Sequence, residues 1–250
     1  SHGYPETGTP VNIQPAYPDL QPALSVTGPL RGPNVHPMSY SPKTVLVYIP
    51  SQETIFIYST YSEFKYNPNT WNLGNQIEMS YLPKDPDELA MVDAATVGYL
   101  LAWDPREQKE VWRAQYKRPW SGGVLSTDGN LVFQGTSDGR FVAYAADSGE
   151  LLWSVDTGQG IVAPPITYTI EGRQYIAVHV GYGGAYALTG GLESPNENPS
   201  RNGRMMVFEI GGTQLEEPVA TIAQLNPTIF DLNSDALVLA RGEYKYHEHC

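Results

Sequence analysis

Apolar residues along this chain come in short runs separated by turn formers, a pattern that predicts strands rather than helices. Strands are expected over 44–50 (TVLVYIP), 54–61, 98–103, 110–115, 125–127, 130–135, 140–144, 151–155, 165–170, 174–180 and 205–210. Asp128-Gly129, Asp138-Gly139 and Glu171-Gly172 mark tight turns between them, and Ser148-Gly149 marks another. Residues 1–33 are dominated by Pro and Gly and read as coil or extended edge. Two polar stretches, 62–90 and 190–204, read as surface loops. The first is long enough to be costly unless it covers something. The one helix the spacing predicts is capped by Asn233 or Ser234 and runs over 236–249, with Val238, Arg241 and Lys245 at helical spacing.

A repeat organises the strands. Leu100-Leu101-Ala102-Trp103 recurs 41 residues later as Phe141-Val142-Ala143-Tyr144, and Val111-Trp112 recurs at the same offset as Leu152-Trp153. A period of about 40–45 residues, with strands and one tryptophan per unit, is the signature of a β-propeller. Propellers rarely close with fewer than about four blades, and two clear units with remnants of others are visible here. The expected fold is all-β, a set of propeller blades forming part of a ring, with a short C-terminal helix. Trp112 and Trp153 then fill equivalent positions between blades, where a large ring buries much apolar surface. An incomplete ring leaves open strand edges and uncovered interfaces, which points to self-association or a partner.

Composition narrows the function classes. The chain has 24 Gly, 21 Pro and 17 Tyr, which favours short strands and turns. Its formal net charge is -12, from 15 Lys plus Arg against 27 Asp plus Glu. With no basic cluster, nucleic acid is excluded as an expected partner. The single cysteine, Cys250, allows no internal disulfide and no cysteine cluster for zinc. No run of 18 apolar residues predicts a transmembrane segment. The chain opens at Ser1 without a signal peptide and stops at His249-Cys250, and is read as an excerpt or processed product.

Three segments carry candidate chemistry. In Pro119-Trp120-Ser121-Gly122-Gly123, paired glycines after an aromatic allow either a close backbone approach or a tight bend. Gly181-Tyr182-Gly183-Gly184-Ala185 either lines a cavity or turns a strand. Asn34 stands near Pro33 and Pro37, which restrict the backbone, and its amide offers a donor and an acceptor to an oxygen-rich ligand; an ordinary turn role is the alternative. Neither glycine cluster has dinucleotide-binding spacing, and no Walker motif is present. Of the histidines, His179 reads as structural, and His247 and His249 form no zinc motif with Cys250. Asp104, Asp128, Asp138 and Asp147 read as turn residues.

Residues 31–50 (RGPNVHPMSYSPKTVLVYIP), PWSGGVLSTDGNLVFQGTSDGRFVAYAADSGELLW, GIVAPPITYTIEGRQYIAVHVGYGGAYAL and MVFEIGG at 206–212 together resemble the C-terminal blades of bacterial quinoprotein alcohol dehydrogenases. The resemblance implies part of an eight-bladed propeller that binds pyrroloquinoline quinone (PQQ) with calcium or a lanthanide. It implies a periplasmic oxidoreductase acting on alcohols, with cytochrome c as electron acceptor. The ion would act as a Lewis acid on the quinone carbonyl. By the same resemblance the cofactor-binding residues are Asn34, Trp120, Ser121, Gly122, Gly183 and Gly184. The family's metal ligands and catalytic aspartate match no position here, so no catalytic or metal-binding residue is assigned. Val35 and Tyr182 stand where the family usually has tryptophan, which alters pocket shape and substrate range.

Gly242, Tyr246 and Cys250 in RGEYKYHEHC resemble the first helix of a c-type cytochrome domain, as in quinohaemoprotein alcohol dehydrogenases. Covalent haem needs C-x-x-C-H, of which only the first cysteine is present. The implied division is a partial propeller over 1–232 and, over 233–250, a linker with the start of a cytochrome domain. The expected activity belongs to the parent enzyme, with this chain inactive alone. Two alternatives stand beside it: a noncatalytic propeller that binds protein partners, and one subunit of a split quinoprotein whose other blades lie on a second polypeptide.

Overall fold

Side-chain alternation sets the strands. In β3 (Leu46–Glu53) and β5 (Val97–Asp104) every second residue is buried, the period-two burial of a sheet packed on one face. The computed structural model describes residues 22–25, 30, 32–68, 72–76, 83, 85–181, 183 and 203–212. Nearly all fall in one unit, Ser1–Ile210. Short β2 (Ser39–Ser41), β3, β5 and β6 (Lys109–Tyr116) form a four-stranded antiparallel sheet in that order. A second such sheet follows from β7 (Val124–Ser126), β8 (Leu131–Gly135), β9 (Arg140–Ala145) and β10 (Leu151–Asp156). A third contains β11 (Ile166–Ile170), β12 (Arg173–Val180) and β13 (Arg204–Glu209). Two three-residue strands, β1 (Ala23–Ser25) and β4 (Phe56–Tyr58), pair apart from these. The sheets are successive propeller blades, as the repeat predicts.

The repeat survives in fine detail. Trp112 pairs with Ala102, and Trp153 pairs with Ala143, 41 residues on. In each blade the register slips beside the tryptophan, leaving Val111 in one and Leu152 in the other without a partner. Such a bulge bends the outer strand and re-aims the next side chain, here the indole. Residues Val45 and Asn130 hold φ values of 57° and 61° immediately before β3 and β8. The Asp128-Gly129 turn thus has its left-handed residue one place later than Gly129.

Two apolar cores glue the blades. Leu46, Tyr48, Leu100, Ala102, Trp112 and Tyr116 of the first blade meet Val124, Val132, Val142 and Tyr144 of the second. Phe133, Phe141 and Ala143, on the second blade's other face, meet Ile161, Val178 and Val180, with Met206 and Phe208 packed alongside. Consecutive residues of β9 therefore face opposite neighbours, so a one-residue slip would exchange both interfaces.

Three expectations need correction. The 62–90 stretch is not all loop: α1 (Pro86–Ala95) closes it. Its apolar residues define no clear face, so periodicity could not reveal it. The end signals were nonetheless present. Asp85 Oδ1 accepts from the amides of Asp87 (3.0 Å) and Glu88 (3.1 Å), and Pro86 starts the helix. The strand expected over 54–61 shrinks to β4. Trp153 is 39% exposed whereas Trp112 is 9% exposed, so equivalent positions are not equally buried. The helix expected over 236–249, the boundary at 232–233 and most of the 190–204 loop lie outside the described residues. Among the described residues no helix is long and apolar enough to cross a membrane.

Candidate functional site

The segments that precede the first strand of each blade lie side by side. Residues 34–38 lead into β2, 119–123 into β7 and 160–165 into β11. The first two first-strands touch through Ser39 and Ser126, whose hydroxyls hydrogen-bond at 2.6 Å. Val124 N–H donates to the Pro37 carbonyl (3.0 Å), and Ile161 N–H donates to the Thr136 carbonyl (3.0 Å). Gly181 N–H reaches the Gly160 carbonyl (3.0 Å). The Asn34 and Trp120 segments are thus neighbours, and residues 160–163 connect the latter to Gly181.

The paired glycines answer to protein packing. A Cβ on Gly122 would lie 2.8 Å from the Ala163 carbonyl oxygen. One on Gly123 would sit 2.6 Å from Pro37 Cγ and 2.8 Å from Pro164 Cβ, wedged between neighbouring loops. The bend takes precedence over an open cradle at these two positions. Gly183 differs: it is half-buried, and among the described residues a Cβ there would meet nothing within 4 Å. Gly184 and Tyr182 lie outside the described residues.

Trp120 is 3% exposed and held at φ 66°. A left-handed non-glycine residue costs about 1 kcal/mol or more and persists only where its surroundings enforce it. Leu30, Leu89 of α1 and Val162 pack around it. His36 meets its indole edge-on, with ring centroids 4.8 Å apart. The His36 ring is itself buried, and its Nε2 has no hydrogen-bond partner among the described residues. Burial holds His36 below its ordinary pKa of 6.5, so it stays neutral.

Around this segment the polar groups are tied down. Ser121 Oγ accepts from the Ser137 amide (3.3 Å). Gln134 Nε2 donates to the Gly122 carbonyl (2.7 Å), while Tyr116 donates its hydroxyl to Gln134 Oε1 (2.8 Å). Burial pushes the Tyr116 phenol well above its ordinary range, so it remains a donor. Asn34 is exposed, and its Oδ1 accepts from the Val35 amide (2.9 Å). Of the residues proposed to touch a cofactor, Asn34 is therefore exposed, and Gly183 has room beside it among the described residues. Trp120, Ser121 and Gly122 are buried, and the amides of Trp120 and Gly122 are already bonded within the protein.

Sequence reasoning passed over Gln134 and a second buried glutamine, Gln52. Both stand in strands at otherwise apolar positions, and a polar residue at an apolar phase was the available signal. The predicted turn acids behave as turns: Asp104 accepts from the Glu107 and Arg106 amides, and these with the Arg106 guanidinium hold its carboxyl below its ordinary range. Among the described residues no three His, Cys, Asp or Glu side chains gather as a metal site would require.

Residues 97–189 match the PQQ_2 family, described as outer membrane protein assembly factor BamB. Over 250 residues the chain is 35% identical to the dehydrogenase subunit of the quinone alcohol dehydrogenase of Gluconacetobacter polyoxogenes, covering 98% of this chain and 34% of that one. The chain belongs to the quinoprotein alcohol dehydrogenase family. A second relative, the 1-butanol dehydrogenase (cytochrome c) of Thauera butanivorans, is 36% identical over 258 residues, which cover 99% of this chain and 35% of that one. The solved quinohaemoprotein alcohol dehydrogenase ADHIIG of Pseudomonas putida superimposes with a TM-score of 0.72 at 33% identity, covering 85% of this chain and 32% of that one. This quinoprotein chain spans about a third of the length of its curated relatives.

Proposed function

We propose that the chain supplies blades and part of the cofactor wall of a periplasmic PQQ-dependent alcohol dehydrogenase that passes electrons to cytochrome c. What supports this most is the juxtaposition of the Asn34 and Trp120 segments with Gly181, within a chain whose relatives align along nearly its whole length. Bound PQQ, with calcium or a lanthanide as Lewis acid, would accept the two electrons removed when an alcohol becomes an aldehyde.

The chain's own residues hold and orient. The exposed Asn34 amide offers hydrogen bonds to the quinone, and Gly183, which no described atom crowds, admits close approach, with Gly184 beside it in sequence. Trp120, Ser121 and Gly122 give a rigid, water-poor wall, since all three are buried. The metal ligands and the base belong to other parts of the enzyme, as does the haem of a cytochrome domain. Exposed Ile166, Ile170, Met205 and Val207 share one face of the third blade and suit a further blade packed there.

Dye-linked alcohol oxidation by natively purified protein, with intact mass and partner content measured alongside, tests the proposal. Activity that requires PQQ and polypeptide beyond these 250 residues is the expected result. Turnover by this chain alone with PQQ and calcium would overturn the placement of metal ligands and base elsewhere. A protein partner bound without quinone or metal, and no oxidation, would replace the enzyme reading with a noncatalytic binding module.

A further inference from the structure

Gln52 stands on β3, only 4% exposed, opposite Gly98 of β5. Its side chain reaches two loops at once. Gln52 Oε1 accepts from the Trp120 amide at 2.7 Å, and its Nε2 donates to the Leu30 carbonyl at 2.7 Å. Its backbone carbonyl takes the Gly32 amide at 2.8 Å. Gly98 makes this possible: a Cβ there would lie 2.3 Å from the Arg118 carbonyl oxygen, so only glycine lets the 118–120 backbone pass over the strand and present the Trp120 amide.

Every donor and acceptor of this primary amide that the two loops need is used inside the protein. One loop leads to Asn34; the other is the Trp120 segment. The left-handed φ of Trp120 requires enforcement, and its amide hydrogen bond to Gln52 supplies it from another blade. An apolar residue at 52 would continue the burial pattern of β3, yet would leave the buried Trp120 amide and the half-buried Leu30 carbonyl without those bonds.

We infer that Gln52 is a positioning residue that locks the Trp120 loop to the loop leading into Asn34, so that both halves of the cofactor wall hold one geometry. The inference rests on the functional reading above for what the wall faces, but the coupling of the loops does not.

The test compares the wild-type chain with Gln52→Met and Gln52→Glu. Amide hydrogen exchange is followed at Gly32 and Trp120, with Leu100 and Val142 as reporters of the blade cores. In Gln52→Met, protection factors at Trp120 and Gly32 should fall at least about tenfold, the weight of one net buried hydrogen bond, while Leu100 and Val142 keep theirs. Unchanged protection at Trp120, or an equal fall at Leu100 and Val142, overturns the inference.

Gln52→Glu separates positioning from bulk. A protonated glutamic acid offers the same acceptor and donor, and burial keeps it protonated below about pH 5. Protection at both loops should be restored there; as the carboxyl ionises it loses the donor to the Leu30 carbonyl but keeps an acceptor for the Trp120 amide, so protection should fall at Gly32 while Trp120 keeps its own. His36, the titratable group against Trp120, is common to all three proteins, so wild type at each pH is the control. Failure of the low-pH rescue counts against the inference.

Titration of the natively purified enzyme with PQQ provides the second arm. About tenfold weaker binding in Gln52→Met, recovered in Gln52→Glu at low pH, supports the role at the cofactor. Equal affinity overturns that role. Wild-type protein that binds no PQQ defeats the functional reading, and the exchange result then decides the coupling by itself.

Discussion

The indole of Trp112 is stacked on the α-carbon of Gly149 in the next blade. A Cβ at Gly149 would lie 2.6 Å from Trp112 Cδ2, and Gly149 holds φ 75°. The indole Nε1–H donates to the Ala146 carbonyl (3.0 Å), which also takes the Tyr48 hydroxyl (2.9 Å). One ring therefore closes the interface by area, by fit and by a hydrogen bond.

Trp112→Ala should cost about 3–5 kcal/mol, since it empties a buried site and strips one donor from Ala146. Trp153, partly exposed and edge-on to Phe141 and Phe208, should cost about 2 kcal/mol when truncated. Urea unfolding of the two variants ranks them; equal losses would contradict the asymmetry.

Two glycines separate reparable from irreparable crowding. At Gly135 a Cβ would lie 2.1 Å from Ile161 Cγ2, a side chain that can be removed. Gly135→Ala should destabilise by about 1–3 kcal/mol, with at least about 1 kcal/mol of favourable coupling to Ile161→Ala in a double-mutant cycle. At Gly98 the obstacle is the Arg118 backbone, and no side-chain deletion should rescue Gly98→Ala.

His36 gives the protein an acid-side weakness. Its folded-state pKa lies below 6.5, so the unfolded chain binds the proton more readily. Its contribution is complete above pH 6.5, is lost as pH falls from 6.5 to the lowered folded value, and then levels off. Denaturation midpoints between those limits should slope with pH in wild type, and that part of the slope should vanish in His36→Phe.

Asn34 should matter to the cofactor and hardly to the fold, because it is exposed and its side-chain oxygen caps the adjacent amide. In the complete enzyme, Asn34→Ala should weaken PQQ binding about tenfold while thermal stability stays within about 0.5 kcal/mol of wild type. A large loss of stability with unchanged PQQ affinity would reverse that assignment.

Much of the fold was legible in residue order because the relevant interactions are local. The two-residue Glu171-Gly172 turn appears with φ 50° and 79°, as its composition predicts for a twisted hairpin. Alternation located the blade strands, and the offset between Trp112 and Trp153 exposed the repeat. Helix α1 escaped because it presents no apolar face, although Asp85-Pro86 announced its start. At the site, the motif order pointed to the Asn34 and Trp120 segments, while Gln52 stayed hidden because its partners lie 22 and 68 residues away along the chain.

By itself, then, the residue order determined the blades, their period, the turns and the family, since each depends on spacing within one strand pair or on motifs read along the chain. Only the tertiary structure decided which equivalent tryptophan is buried, why Gly98, Gly122 and Gly123 admit no side chain, and how Gln52 ties two loops together. Those outcomes depend on atoms brought within van der Waals reach across blades, and that proximity is a property of packing.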